Sequence, residues 1–146
     1  MASHEISVEP DISAIPPLLE WVEGRCREDG LADDTTFKMA LILEEAVTNV
    51  INYAFADLPP PHMIRVKLDI AIERIIAEVV DNGRPFDPTE ARQLPMASSL
   101  AQARIGNLGI HLMRSFASSM QYERRDGCNR LTLRFSEPQS ERSRAG

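Results

Sequence analysis

The sequence has only two cysteines in 146 residues, Cys26 and Cys128, and they lie far apart, outside any CxxC or Cys/His ligand spacing. A disulfide framework and a structural zinc site are therefore excluded as organising elements, and reduced, packed thiols are expected. No apolar run approaches the roughly 18–20 residues that a bilayer-spanning helix needs. The longest candidates are interrupted by Glu44-Glu45, Asp69 or Glu78. The N-terminus, with His4 and Glu5 ahead of any apolar stretch, lacks the basic-then-apolar order of a secretory signal, so a cytoplasmic chain without a membrane partner is expected. Positive charge is also short, with 16 Lys and Arg against 22 Asp and Glu and a net charge of −6. Direct nucleic-acid binding is disfavoured, because neutralising phosphates needs clustered cations. The local clusters Arg124-Arg125 and Arg142 with Arg144 do not alternate with aromatics and read as a solvated strand end and a terminus. His4, His62 and His111 have no partner at metal or triad spacing, so no catalytic histidine is assigned.

What is present is a composition of 43% hydrophobic and 26% charged residues, the balance of a folded soluble domain. The length suits one core, so residues 1–136 are expected to form one domain and 137–146 a disordered tail. Residues 5–9 alternate like a strand, and Asp11 or Ser13 can cap a helix that runs to about Asp29, with Pro16-Pro17 in its first turn and Gly30 as its stop. Asp33 or Asp34 caps a second helix to about Phe55, whose stripe Leu43, Ala46, Val47, Val50 and Ile51 faces the core. After Pro59-Pro60-Pro61, residues 63–72 and 74–81 form a β-hairpin. Residues 83–106, rich in Gly, Pro, Ser and Ala, read as a long loop with a short helix near 89–92. A third helix over 108–119 precedes a second hairpin turning at Asp126-Gly127. This order predicts an α+β two-layer sandwich, with helices on one face of a mixed, mostly antiparallel sheet.

Three segments carry chemistry. On the second helix, Glu45, Asn49 and Asn52 are spaced to share one flank, so that a carboxylate and two amides project together. Hard magnesium prefers oxygen ligands and keeps waters and phosphates, which makes Asn49 a candidate ligand and Glu45 a candidate base. The same residues also read as ordinary solvated helix positions. At the end of the second hairpin strand, Asp81-Asn82-Gly83 delivers a carboxylate into a glycine turn, where Asp81 could accept from an adenine amino group and Gly83 lets backbone approach the base. Asn82-Gly83 also reads as a hairpin turn, against which Pro85 argues by removing a donor that a returning strand needs. Gly106-Asn107-Leu108-Gly109 opens a helix whose free amides suit an anion. It is neither a Walker loop nor a Rossmann fingerprint.

In order and spacing, Glu45-x-x-x-Asn49, Asp81-x-Gly83, a loop and a glycine pair resemble the ATPase fold shared by DNA gyrase, histidine kinases and mismatch-repair ATPases, the Bergerat fold. The helix sequence 45–55, the segment 108–115 and residues 122–127 are similar to bacterial anti-sigma factors with serine kinase activity. The resemblance implies ATP and Mg2+ as cofactors, Glu45 as general base, Asn49 as magnesium ligand, Asn52 as a further nucleotide-side residue, and Asp81 with Gly83 at the adenine. It also implies a lid in which Arg104 meets the terminal phosphate and Gly106 and Gly109 lie on the phosphate side, with Asn107 standing where many relatives have glycine. The implied function is sequestration of a sigma factor and phosphorylation of an anti-anti-sigma (STAS) protein on Ser or Thr. The alternative is a nucleotide-loaded protein-binding module without phosphotransfer. Homodimerisation is left open.

Overall fold

The computed structural model describes residues 2–71, 73–90 and 116–136. Strand β1 (Ala2–Val8) leads through a single 3-10 turn at Ile12–Ala14 into helix α1 (Ile15–Glu28), and helix α2 (Asp33–Asn49) follows. Strands β2 (Ile64–Ala71) and β3 (Arg74–Asp81) form one hairpin, and β4 (Ser119–Arg125) and β5 (Cys128–Phe135) form another. The five strands make one antiparallel sheet in the order β1-β2-β3-β5-β4. The expected α+β sandwich is thus found, with β3 at the centre of the sheet.

The period-two pattern of the strands puts Ile64, Val66, Leu68 and Ile70 of β2 inside, and leaves Arg65 and Lys67 outside. Against that inner face pack Leu18 and Val22 of α1 and Ile42, Leu43 and Val47 of α2, each at most 1% exposed. Full burial of such a side chain contributes about 1.5–3 kcal/mol, so this helix–sheet seam carries most of the folding free energy. The predicted α2 stripe is buried at Leu43, Ala46, Val47 and Val50, with Ile51 partly covered.

The helix starts differ from expectation. Asp11 and Ser13 do not cap α1, because the Ser13 hydroxyl donates to Asp11 Oδ2 (2.8 Å), and Ala14 takes the cap position ahead of Pro16 and Pro17. Ala32 rather than Asp33 or Asp34 caps α2, its carbonyl accepting from Thr36 N–H at 2.9 Å. The two aspartates sit in the first turn, where the helix dipole favours negative charge. At its other end α2 stops being α-helical at Asn49 and continues as a π-turn over Val50–Ala54. Gly30, at φ 81°, ends α1 as expected, and Asp126 (φ 52°) with Gly127 (φ 75°) makes the left-handed pair that a tight hairpin needs. β1 begins earlier than residue 5 and ends at Val8. β4 begins at Ser119, so the third helix cannot extend that far, and Thr89 lies in a turn held by Asp87 rather than in a helix. The remainder of the third helix, most of the long loop and the tail 137–146 fall outside the described residues.

Replacing Leu43, fully buried at the seam, by Ala should cost about 2–5 kcal/mol through lost transfer energy and a residual cavity. Urea unfolding should show this as a lower midpoint at unchanged m-value. A cost under about 1 kcal/mol would place the core elsewhere.

Candidate nucleotide site

Asp81 closes the central strand β3, paired in register with Ile64 of β2 on one side and Asn129 of β5 on the other, and is only 3% exposed. Its Oδ1 accepts two hydrogen bonds, from Gly83 N–H (2.8 Å) and from Asn129 Nδ2 (2.9 Å). Both donors address one oxygen, which turns Oδ2 away from them and leaves it to receive something else. Burial raises the Asp81 pKa above its ordinary 3.8, and the bonds from Asn129 and Gly83 and the charge of Arg124 oppose that rise.

Asn129 is the hub of this corner. Beyond Asp81, its Nδ2 donates to the Arg84 carbonyl (2.6 Å), and its Oδ1 accepts from Phe86 N–H (3.2 Å) and from the Tyr122 hydroxyl. The Tyr122 phenol, pushed above its ordinary value by burial, stays a donor. Arg124 Nη1 donates to the Gly83 carbonyl at 2.7 Å. The turn after β3 is therefore tied to both strands of the second hairpin.

Gly83 has a use that the sequence did not reveal. A Cβ on it would lie 2.5 Å from the Ala54 carbonyl oxygen and 2.7 Å from the Ala54 Cβ. Only glycine lets the turn after Asp81 meet the π-turn that extends α2, a contact sealed by Arg84 N–H donating to the Ala54 carbonyl (2.8 Å). The approach expected at Gly83 was that of the base, and the described residues place the end of α2 against it instead.

Asn49 and Asp81 line one narrow cleft of about 20 Å³, together with Ala46, Val79, Phe86 and Leu131 and the polar Asn129 and Tyr122. This is an apolar slot with a few convergent polar groups, the usual make-up of a small-ligand site. Phe86, stacked on Tyr53 at 5.6 Å, closes part of its wall. Asn49 is 1% exposed, yet among the described residues neither its Oδ1 nor its Nδ2 has a hydrogen-bond partner. A buried amide left unsatisfied costs about 1–3 kcal/mol, so it marks a place where a ligand or its hydration completes the bonding.

Glu45 lies one turn before Asn49 on α2. Its Oε2 is buried and has no hydrogen-bond partner among the described residues, and burial first, then the neighbouring Glu44, raises its pKa above the ordinary 4.5. The three helix residues divide between two neighbouring concavities. Asn49 lines the cleft with Asp81, whereas Glu45 and the exposed Asn52 line a neighbouring groove with Thr48. Glu45 and Asn52, seven residues apart, line the same groove as they would on an unbroken α-helix, so the π-turn over 50–54 does not separate them. Arg104, Gly106, Asn107 and Gly109 lie outside the described residues.

Magnesium can be tested against these groups. Among the described residues no three His, Cys, Asp or Glu side chains cluster to form a cage. One unpartnered amide oxygen with a carboxylate a turn away suits a hard cation that brings waters and phosphates of its own. The donor set therefore fits.

A helix and a central strand end share one cleft in a two-layer antiparallel α+β domain, an architecture that is neither a barrel nor a Rossmann sheet. The sequence matches the histidine kinase-like ATPase domain family over residues 8–135, and the chain belongs to that family. It is 36% identical over 137 residues to the serine/threonine-protein kinase BtrW of Bordetella bronchiseptica, covering 91% of this chain and 94% of that one. This relation supports the resemblance to the serine-kinase branch of the fold. Among solved structures, the RsbU and RsbW domains of a Mycobacterium tuberculosis protein align with TM-score 0.59 and 19% identity, covering 94% of this chain and 34% of that chain. The histidine kinase domain of a blue-light activated kinase from Erythrobacter litoralis aligns with TM-score 0.53 and 17% identity over 92% of this chain and 63% of that one. At these identities the structures establish the fold, and this chain spans less than two thirds of either.

Truncating Asn129 to Ala removes the donor to Asp81 and the acceptor for Phe86 and Tyr122, and should cost about 1–3 kcal/mol of stability. Asp81→Asn should behave oppositely. Because the folded-state pKa of Asp81 lies above 3.8, the folded state binds more protons than the unfolded one, so stability declines as pH rises above that value. The amide oxygen introduced by Asp81→Asn can keep both donors without charge, and urea midpoints should show this decline reduced. A variant that steepened the decline would reverse the electrostatic account.

Proposed function

We propose that this chain is an ATP-dependent serine/threonine kinase that sequesters a sigma factor and phosphorylates an anti-anti-sigma partner of the STAS type, in the cytoplasm. The observation that carries the reading is the buried, unsatisfied Asn49 amide facing the Asp81 carboxylate across one cleft. Family membership and the relation to a protein named as a serine/threonine kinase support it.

In this reading Asp81 Oδ2 accepts from the exocyclic amine of adenine, while Gly83 and Asn129 hold Oδ1 and so fix the orientation of the acceptor. The cleft, about 20 Å³ here, has to widen to admit the base, and its apolar walls Ala46, Val79 and Leu131 then take the faces of the base and exclude water. Asn49 Oδ1 would hold magnesium, which when bound neutralises charge on the phosphates as the phosphoryl group transfers. Glu45 accepts the proton of the attacking hydroxyl, and its burial raises its basicity toward working pH. Arg104, Gly106 and Gly109 are assigned to a lid over the phosphates, and Asn52 to the same side of the site. The test is incubation with labelled ATP, magnesium and the STAS-type proteins encoded in the same genome. Label on a Ser or Thr of one of them is expected, and nucleotide binding without any transfer would leave a binding module instead.

Glu45→Gln should keep Mg-ATP affinity and lower phosphotransfer by roughly 100-fold or more. Because a protonated Glu45 cannot take the proton, wild-type activity should fall on the acid side with an apparent pKa above 4.5, and this limb should vanish in the variant. A wild-type profile flat down to pH 4.5, or an active Glu45→Gln enzyme, would assign the base to another residue.

A further inference from the structure

A second concavity adjoins the cleft on the other side of α2. It holds about 580 Å³ between Ile12, Ile15 and Pro16, where the chain enters α1, and Glu44, Glu45, Thr48 and Asn52 on α2 and its π-turn. Neither Asp81 nor the proposed magnesium ligand Asn49 lines it. Glu45 does, from one turn away from Asn49, where residues four apart on a helix have Cβ atoms about 5–6 Å apart. One helix thus presents its amide to the nucleotide cleft and its candidate base to the groove. A base that serves a transfer between two substrates has to stand between them.

We propose that this groove receives the acceptor segment of the protein substrate, a Ser or Thr accompanied by a large apolar side chain and by a Lys or Arg. The inference rests on the kinase reading above and specifies the partner chemistry of the same site. Three observations carry it. Ile12 is 51% exposed, one of two large apolar side chains so exposed among the described residues, and with Ile15 and Pro16 it supplies an apolar wall for an apolar side chain. The charged groups lining the groove are Glu44 and Glu45, with no Lys or Arg among the described residues that line it, which favours a cationic occupant. The half-buried Glu45 on the groove wall supplies the carboxylate that a hydroxyl needs.

In the transfer step the seated hydroxyl oxygen forms a bond to the γ-phosphorus of ATP as the bond from that phosphorus to the β,γ-bridging oxygen breaks. The hydroxyl proton passes to the Glu45 carboxylate, and ADP leaves carrying the bridging oxygen.

The test uses the full chain, Mg-ATP and the STAS-type acceptor found by the labelled-ATP assay. Ile12→Glu and Glu44→Lys should each raise the KM for the acceptor by about 10-fold or more, while Ile12→Glu keeps ATP affinity within about 2-fold. Replacing the Lys or Arg nearest the acceptor hydroxyl with Glu should restore transfer by Glu44→Lys. Ile12 is exposed and Glu44 partly so, so both variants are expected to fold, which thermal melts check. If wild-type protein labels no acceptor, the kinase reading falls and the groove falls with it. If transfer proceeds and both variants keep the wild-type KM, the groove alone is overturned. A shift from two sedimenting copies to one with transfer unchanged would give the groove to a second copy of the chain and equally overturn the proposal.

Discussion

The pair of hydrogen bonds that Gly83 N–H and Asn129 Nδ2 donate to one oxygen of the buried Asp81 carboxylate is the constraint on which the rest of the site depends. For Asn129 to reach it, β5 must pair with β3 in the register that places these two residues opposite each other. For Gly83 to reach it, the turn after β3 must press against Ala54, which requires both a missing Cβ and the π-turn at the end of α2. Sheet register, a glycine and a helix irregularity thus converge on the orientation of one carboxylate. A π-turn costs regular helical hydrogen bonding and is tolerated here because it brings Ala54 to the strand end while Asn49 stays directed into the cleft.

The same corner sets stability against function. Burial raises the pKa of Asp81 and of Glu45, so both carboxylates are less comfortable ionised in the fold than in the unfolded chain. Asn49 adds a buried amide without partners. A chain selected for stability alone would replace these groups with apolar ones, and their presence beside one another fits a site whose ligand completes their bonding. The outer face of the sheet shows no such tension. There Arg130 pairs with Glu78 and Arg65 with Glu5, at surface sites where such pairs contribute little.

Much of this was legible in the sequence, for identifiable reasons. The α2 stripe, the two hairpins and the Asp126-Gly127 turn follow from periodicity and turn chemistry, which are local, and the structure reproduces them. Asp81 and Asn49 were visible because polar residues interrupt otherwise apolar segments. Asn129, Tyr122 and Arg124 were not, since their importance comes from which strand lies beside β3, and strand pairing has no local signature. A polar residue in the inward-facing set of β5, ahead of Leu131, Leu133 and Phe135, was the available signal for Asn129. The helix caps were misplaced because Asp11 and Ser13 bond each other.

The central claim is that the arrangement around Asp81 leaves Oδ2 as the acceptor for the adenine amine. An experimental structure of the chain with magnesium and a non-hydrolysable ATP analogue tests it most directly. The exocyclic nitrogen is expected about 2.7–3.2 Å from Asp81 Oδ2, with Gly83 and Asn129 still on Oδ1. An adenine bound away from Asp81, or an Asp81 whose Oδ2 is occupied by a donor from the protein itself, would contradict it.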